Sequence, residues 1–327
     1  MTELSRRSWL AIAGAAAANR AGAGVSGKAR LIESMRGVHN FMVTPFRANL
    51  SLDAEGLRRN IAFHAASAPP NMTIVVGGGL GELFTLDVEE QRDMAQAAVA
   101  GAMGKLPTVV GAGGGYGLAM RMARNAEEAH ADAILLFSPP YGSEGAEGAY
   151  QYFHDVAASV RIGVIAYPHG KEDYWPAVLK RLAALPNVIG FKDGSSGIAV
   201  GRALGELIPN HFLWISEGET SALEGLPAGA RAYTTAVATF VPRACHEFWR
   251  RGVAGDVAGM KDVLEKRINP VVRVRDVRPG YGISGIKAAL ESLGRAGGPV
   301  RPPGTQVAPE DRPKIAELAR KNAEHSS

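Results

Sequence analysis

The chain has 327 residues, 46% of them hydrophobic and 21% charged, with a formal net charge of +4. That composition supports a large buried core and excludes bulk disorder; the basic residues are scattered, without the Lys/Arg run and interleaved aromatics of a nucleic-acid surface. A single cysteine, Cys245, excludes an intrachain disulfide and a thiolate metal cluster.

The first thirty residues stand apart. Ser5-Arg-Arg-Ser-Trp-Leu10, followed by an alanine-rich stretch, resembles a twin-arginine export signal and is too short to span a membrane. Residues 1–30 therefore read as a leader that would make the protein periplasmic. Read as a frayed amphipathic helix, the same residues leave it cytoplasmic. No other segment is long and apolar enough to be a transmembrane span.

Short apolar runs then alternate with helical patterns. Strands are expected over 38–43, 72–76, 108–111, 133–137, 162–166, 188–191, 212–215 and 230–234. Between them, helices are expected over 53–66, 88–102, 117–129, 148–159, 174–185, 198–207 and 219–228, where apolar residues recur at three- and four-residue spacing. Eight strand–helix units predict a (β/α)8 TIM barrel over residues 31–242. Beyond Pro242 the pattern is helical only, over 243–251, 256–268, 284–293 and 310–322, so residues 243–327 read as a C-terminal helical extension.

In such a barrel, chemistry sits where strands end. Lys192 ends the apolar run Val188-Ile-Gly-Phe-Lys-Asp-Gly194, and Tyr167 holds the matching position in Ile162-Gly-Val-Ile-Ala-Tyr-Pro168. The intervening residues suffice for one crossover helix, which puts the amine and the phenol on neighbouring parallel strands. A lysine desolvated there is shifted toward the neutral amine and can form a Schiff base with a ketone; the iminium then serves as an electron sink while a tyrosine shuttles protons. A snorkelling lysine beside a packing tyrosine is the plain structural alternative.

Other motifs are informative by failing. The two glycine-rich stretches, Gly78-Gly-Leu-Gly-Glu82 and Gly111-Ala-Gly-Gly-Gly115, do not complete a dinucleotide fingerprint in any register. Their backbone amides suit a carboxylate instead. The eight histidines are dispersed and the carboxylates show no metal-loop spacing, so neither a metal nor a cofactor is expected. His169, just after Tyr167, and Lys171 are candidates for the far carboxylate of a dicarboxylic substrate.

Gly78-Gly-Leu-Gly-Glu82, Tyr167, Gly190-Phe-Lys-Asp-Gly194 and Tyr281-Gly-Ile-Ser-Gly-Ile-Lys-Ala-Ala289 together resemble the dihydrodipicolinate synthase and N-acetylneuraminate lyase superfamily of class I aldolases, over roughly residues 35–320. Leu136-Phe-Ser-Pro-Pro-Tyr141, Ala236-Val-Ala-Thr-Phe-Val-Pro242 and Gly298-Pro-Val-Arg-Pro-Pro303 are most similar to its 5-dehydro-4-deoxyglucarate dehydratase branch. The resemblance implies a TIM barrel, a homo-oligomer (dimer or tetramer), an imine on Lys192 and proton relay by Tyr167. It also implies a 2-keto acid bound by Gly78, Gly79, Leu80 and Thr44, with Gly194 and Ser195 beside the lysine and Tyr141 reaching across a subunit interface.

The chain departs from that pattern in three places. Gly79 and Leu80 stand where the family carries hydroxyl residues, Pro168 replaces an asparagine after the tyrosine, and Glu172 lies near the place of the lysine-pathway members' arginine. The expected function is thus a Schiff-base lyase dehydrating a small 2-keto acid or deoxy keto-sugar acid, with decarboxylation if the branch assignment holds. The alternatives are a retro-aldol lyase or a dihydrodipicolinate synthase-like condensing enzyme on the same scaffold, or a keto-acid-binding barrel without turnover.

Overall fold

The computed structural model describes residues 25–139, 145–168, 172–194, 198–205, 207 and 211–324. Residues 1–24 of the leader-like segment lie outside them. Eight parallel strands close into a barrel in chain order: β1 (Gly37–Phe41), β2 (Met72–Val76), β3 (Thr108–Ala112), β4 (Ala133–Phe137), β5 (Gly163–Tyr167), β6 (Val188–Lys192), β7 (Leu213–Ser216) and β8 (Ala232–Thr235). The ring closes where β8 pairs with β1, Ala232 lying opposite Gly37. Every strand residue is buried, because the barrel interior covers one face and helices the other. This is why the strands read as continuous apolar runs without alternation.

The helices between strands begin and end where local chemistry dictates. Val88–Ala102 starts with a reciprocal capping box: Glu90 N donates to Asp87 Oδ1 at 2.7 Å, and Asp87 N donates to Glu90 Oε2 at 3.2 Å. Such a cap satisfies two amides that the first helical turn leaves unpaired. The segment expected as one helix over 256–268 is divided into Val257–Val263, a wide turn over Leu264–Ile268 and Asn269–Val272. Pro270 causes the break, since it has no amide proton to donate to the preceding turn.

One irregularity sets the register of the candidate site. Between β5 and β6, Val164 pairs with Val188 but Ile165 pairs with Gly190, so Ile189 is an extra residue on β6. After this bulge Ala166 lies opposite Phe191, and the next step brings Tyr167 and Lys192 together. Gly190 is required here: a Cβ would stand 2.3 Å from the Leu213 carbonyl oxygen of β7.

The helix Val25–Ser34 lies at the opposite end of the barrel, where strands begin. Its Lys28 Nζ donates to the carbonyls of Ala183 and Leu185, at 2.8 and 3.0 Å. After β8, Pro242–Val253 packs on the barrel wall, with Phe248 against Tyr233 at 5.1 Å between ring centroids. The later helices Ser284–Ser292 and Arg312–Asn322 pack on one another, and the first buries nearly its whole length. Among the described residues, no helix is long and apolar enough to cross a membrane.

Candidate active site

Lys192 is the last residue of β6 and is 3% exposed. Its Nζ lies 3.8 Å from the centroid of the Tyr167 ring, so the ammonium faces the negative π-surface of the tyrosine. The same Nζ donates to Glu217 Oε1 at 2.5 Å and to the Asp193 carbonyl at 3.3 Å. Tyr167 OH also donates to Glu217 Oε1, at 2.9 Å, so a single carboxylate oxygen joins amine and phenol. Burial pushes the Lys192 ammonium below the ordinary lysine value, while Glu217 and, after it, Asp193 act to raise it. Burial, with Glu217 adding to it, pushes the Tyr167 phenol well above its usual range. Desolvation thus moves both groups toward their neutral forms.

The surroundings hold this arrangement. The Tyr167 ring meets Phe137 edge-on at 5.0 Å, and the Tyr167 carbonyl accepts from Ser138 N and Oγ at 3.2 and 3.3 Å. On its other flank lies Gly194, where a Cβ would stand 3.0 Å from the ring. Asp193 fixes the strand end beyond: its carboxylate accepts from Trp214 Nε1 at 2.7 Å and from Glu217 N at 2.6 Å. Burial raises the Asp193 carboxyl to about 6, against the lowering effect of those two donors and of Lys192. Glu217 is thereby held at its backbone while its side chain, 42% exposed, reaches the open end of the barrel.

The remaining expected residues divide into two sets. Gly78, Gly79, Leu80 and Thr44 lie on the same face of the barrel, after β2 and β1, joined by a 2.6 Å hydrogen bond from Thr44 Oγ1 to the Gly81 carbonyl. A Cβ at Gly78 would run into the Phe41 ring at 2.6 Å, whereas one at Gly79 would meet open space. Leu80 is half-buried against the core. Among the described residues, the amides of Gly79 and Leu80 donate to no protein acceptor. The structure brings Lys192, Tyr167 and Gly194 into contact and groups Thr44 with the turn after β2; among the described residues, no hydrogen bond links the two groups. Tyr141, His169, Lys171 and Ser195 lie outside the described residues.

Sequence reasoning missed Glu217 and its anchor Asp193. The signal for Glu217 was present, since it directly follows β7 as Lys192 ends β6 and Tyr167 ends β5. Asp193 had none, because its role depends on Trp214 and Glu217, more than twenty residues away. The glutamate of the glycine-rich turn also has a partner no local pattern suggested: Glu82 Oε1 meets Lys287 Nζ at 2.5 Å, both nearly inaccessible.

Comparison with known proteins bears on this geometry. The model of the dihydrodipicolinate synthetase family matches residues 34–322. The probable 5-dehydro-4-deoxyglucarate dehydratase 2 of Streptomyces avermitilis is 34% identical over 286 residues, covering 86% of this chain and 86% of the relative. The probable 5-dehydro-4-deoxyglucarate dehydratase of Rhizobium meliloti is 36% identical over 285 residues, covering 84% and 92%. Among solved structures, dihydrodipicolinate synthase from Bacteroides thetaiotaomicron superposes with a TM-score of 0.79 at 23% identity, over 88% of this chain and 98% of that one. The Bacillus clausii enzyme gives 0.76 at 24%, over 89% and 99%, and at these identities the likeness concerns the fold. A match along nearly the whole barrel and extension, with relatives above 30% identity over most of both chains, leads to one conclusion: the chain belongs to the dihydrodipicolinate synthetase family.

Proposed function

We propose that the protein is a Schiff-base-forming lyase that dehydrates a small 2-keto acid of the deoxy keto-sugar type, in the manner of a 5-dehydro-4-deoxyglucarate dehydratase. The observation that carries this reading is the Lys192 amine, buried at the end of β6 with its charge disfavoured and stacked 3.8 Å over the Tyr167 ring. The dehydratase activity named for relatives at 34% and 36% identity supports this class.

In this reading the neutral Lys192 amine attacks the ketone carbon, and the ketone oxygen leaves as water when the iminium forms. Tyr167, itself held neutral, moves protons during imine formation and hydrolysis. The iminium draws electrons from the adjacent carbon, which makes loss of a proton there and of a hydroxyl one carbon further feasible. The free amides of Gly79 and Leu80 hold the substrate carboxylate, with the Thr44 hydrogen bond keeping their turn in place. The family's habit of assembling as dimers or tetramers extends to this chain as part of the proposal.

Borohydride reduction in the presence of pyruvate tests the reading. The reduced adduct is expected on the peptide carrying Lys192, detected by intact mass and peptide mapping, and absent from Lys192→Ala. No adduct, or an adduct that persists in Lys192→Ala, overturns it.

A further inference from the structure

Glu217 is not one of the residues from which the Schiff-base reading was built, yet it occupies the centre of the site. Its Oε1 accepts from both Lys192 Nζ, at 2.5 Å, and Tyr167 OH, at 2.9 Å. The phenol ring lies under the ammonium, so the hydroxyl connects to the amine through this carboxylate. The backbone around it is fixed on both sides: Glu217 N donates to Asp193 Oδ1 at 2.6 Å, and Gly218 N to Thr234 Oγ1 at 3.0 Å. The carboxylate is therefore positioned, while its exposure leaves it open to whatever enters the barrel mouth.

Among the described residues, the rest of the site leaves a proton acceptor unassigned. Gly79 and Leu80 have no hydroxyl, and Thr44 spends its hydroxyl proton on the Gly81 carbonyl. Tyr167 is held protonated, so it donates better than it accepts. Among the described residues, the Glu217 carboxylate beside the imine nitrogen is within reach and can take a proton from carbon.

We infer that Glu217 is a catalytic residue, the acid–base group that removes the proton from the carbon next to the imine and returns it to the departing hydroxyl. The inference rests on the Schiff-base reading above. With the iminium formed on Lys192, Glu217 takes one proton from the adjacent carbon. The C–H electron pair becomes the carbon–carbon double bond of an enamine, and the C=N pair returns to nitrogen. The nitrogen pair then re-forms the iminium, the enamine double-bond pair shifts to join the next carbon as a new carbon–carbon double bond, and the C–O bond on that next carbon breaks with its electrons on oxygen. The proton held by Glu217 joins that oxygen, and water departs. Glu217 ends as the carboxylate it began as, so the step needs no external acid, base or oxidant.

The test separates this step from imine formation. Pyruvate forms an imine but has no hydroxyl to lose, so exchange of its methyl protons in deuterated water, followed by NMR, reads proton removal alone. Borohydride trapping on the same samples reads imine formation. Glu217→Gln is expected to trap pyruvate as the wild type does while exchanging methyl protons about 10²–10⁴-fold more slowly. Glu217→Asp, which keeps the acid on a shorter arm, is expected to exchange faster than Glu217→Gln; rates are compared per trapped site, so that only folded protein counts. Glu217→Gln exchanging within a few-fold of wild type overturns the inference and leaves the Schiff-base reading intact, as do equal rates in the two variants or a folded Glu217→Gln that cannot be trapped. Absence of trapping in the wild type overturns the Schiff-base reading itself, and this inference with it.

Discussion

Two lysine–glutamate pairs, each with N···O contact at 2.5 Å, sit in this molecule in opposite circumstances. In the first, Lys192 is 3% exposed but Glu217 is 42% exposed, and the pair faces the open end of the barrel. In the second, Lys287 and Glu82 are 0% and 4% exposed; Lys287 Nζ also donates to the Pro299 carbonyl at 2.8 Å, and Glu82 Oε2 accepts from Arg301 N at 2.9 Å. Burial lowers both ammonium groups, and the partner carboxylate opposes it in both. Charge and distance therefore do not distinguish the amine proposed to react from the structural one. What differs is whether the carboxylate reaches solvent and whether the amine has a second, sealing acceptor from a distant segment. The sealed pair ties the glycine-rich turn after β2 to the helix Ser284–Ser292 and the chain beyond it, and Arg301 strengthens that tie with a two-pronged contact to Glu90 at 2.6 and 2.5 Å.

The largest expected contrast comes from removing each amine in turn. Lys192→Met should reduce turnover of a keto-acid substrate to background yet leave stability unchanged within about 1 kcal/mol, because Glu217 can be rehydrated where it stands. Urea denaturation beside a turnover assay checks both halves. Lys287→Met should do the reverse: stranding Glu82 costs about 3–5 kcal/mol, the usual penalty for breaking a buried pair, while folded protein still traps pyruvate at Lys192. A stability loss below about 1 kcal/mol would show that water reaches Glu82 and that the two pairs are alike.

Buried histidines sharpen the comparison, since they meet a carbonyl or a cation where the lysines meet a carboxylate. His39 Nε2 donates to the Met35 carbonyl at 2.8 Å and is lowered to about 4 by burial, against the raising effect of that bond; His64 is lowered to about 4 by burial and by Arg295. Both folded values lie below the ordinary 6.5, so between them the unfolded chain binds the extra proton. Stability is then fully present above 6.5 and lost as pH falls toward 4, by about 3 kcal/mol per histidine. Asp193, raised to about 6, acts in the opposite sense, its contribution being present at low pH and lost as pH rises through 6. NMR should find both rings neutral in the folded protein down to about pH 4, and a ring titrating near 6.5 would contradict the burial assigned to it.

The smallest effect concerns the turn that the sealed pair holds. Leu80→Thr should tighten pyruvate binding roughly tenfold, since one hydrogen bond to a charged group contributes about 1.5–3 kcal/mol. Calorimetry that finds no gain would remove this turn as the carboxylate site.

The strands were legible because burial on both faces writes itself as an apolar run, and the strand-end positions of Lys192 and Tyr167 followed from those runs. A helix is expected over 198–207 but ends at Ala203, and the helix Val25–Ser34 crosses the expected leader boundary at residue 30. Glu217 follows β7 and so lies near a strand end as Lys192 does, but a glutamate before a glycine has many ordinary explanations.

Sequence alone determined the order of strands and helices, the closed-barrel class, and which residues stand at strand ends, since these depend on periodicity and local capping. The tertiary structure decided the pairings: a bulge at Ile189 that brings Tyr167 and Lys192 into one register, a carboxylate from just after β7 bridging both, and Glu82 sealed against Lys287 two hundred residues away. Local propensity cannot encode such contacts, because each depends on where the backbone of another segment comes to rest and on how much water that packing excludes.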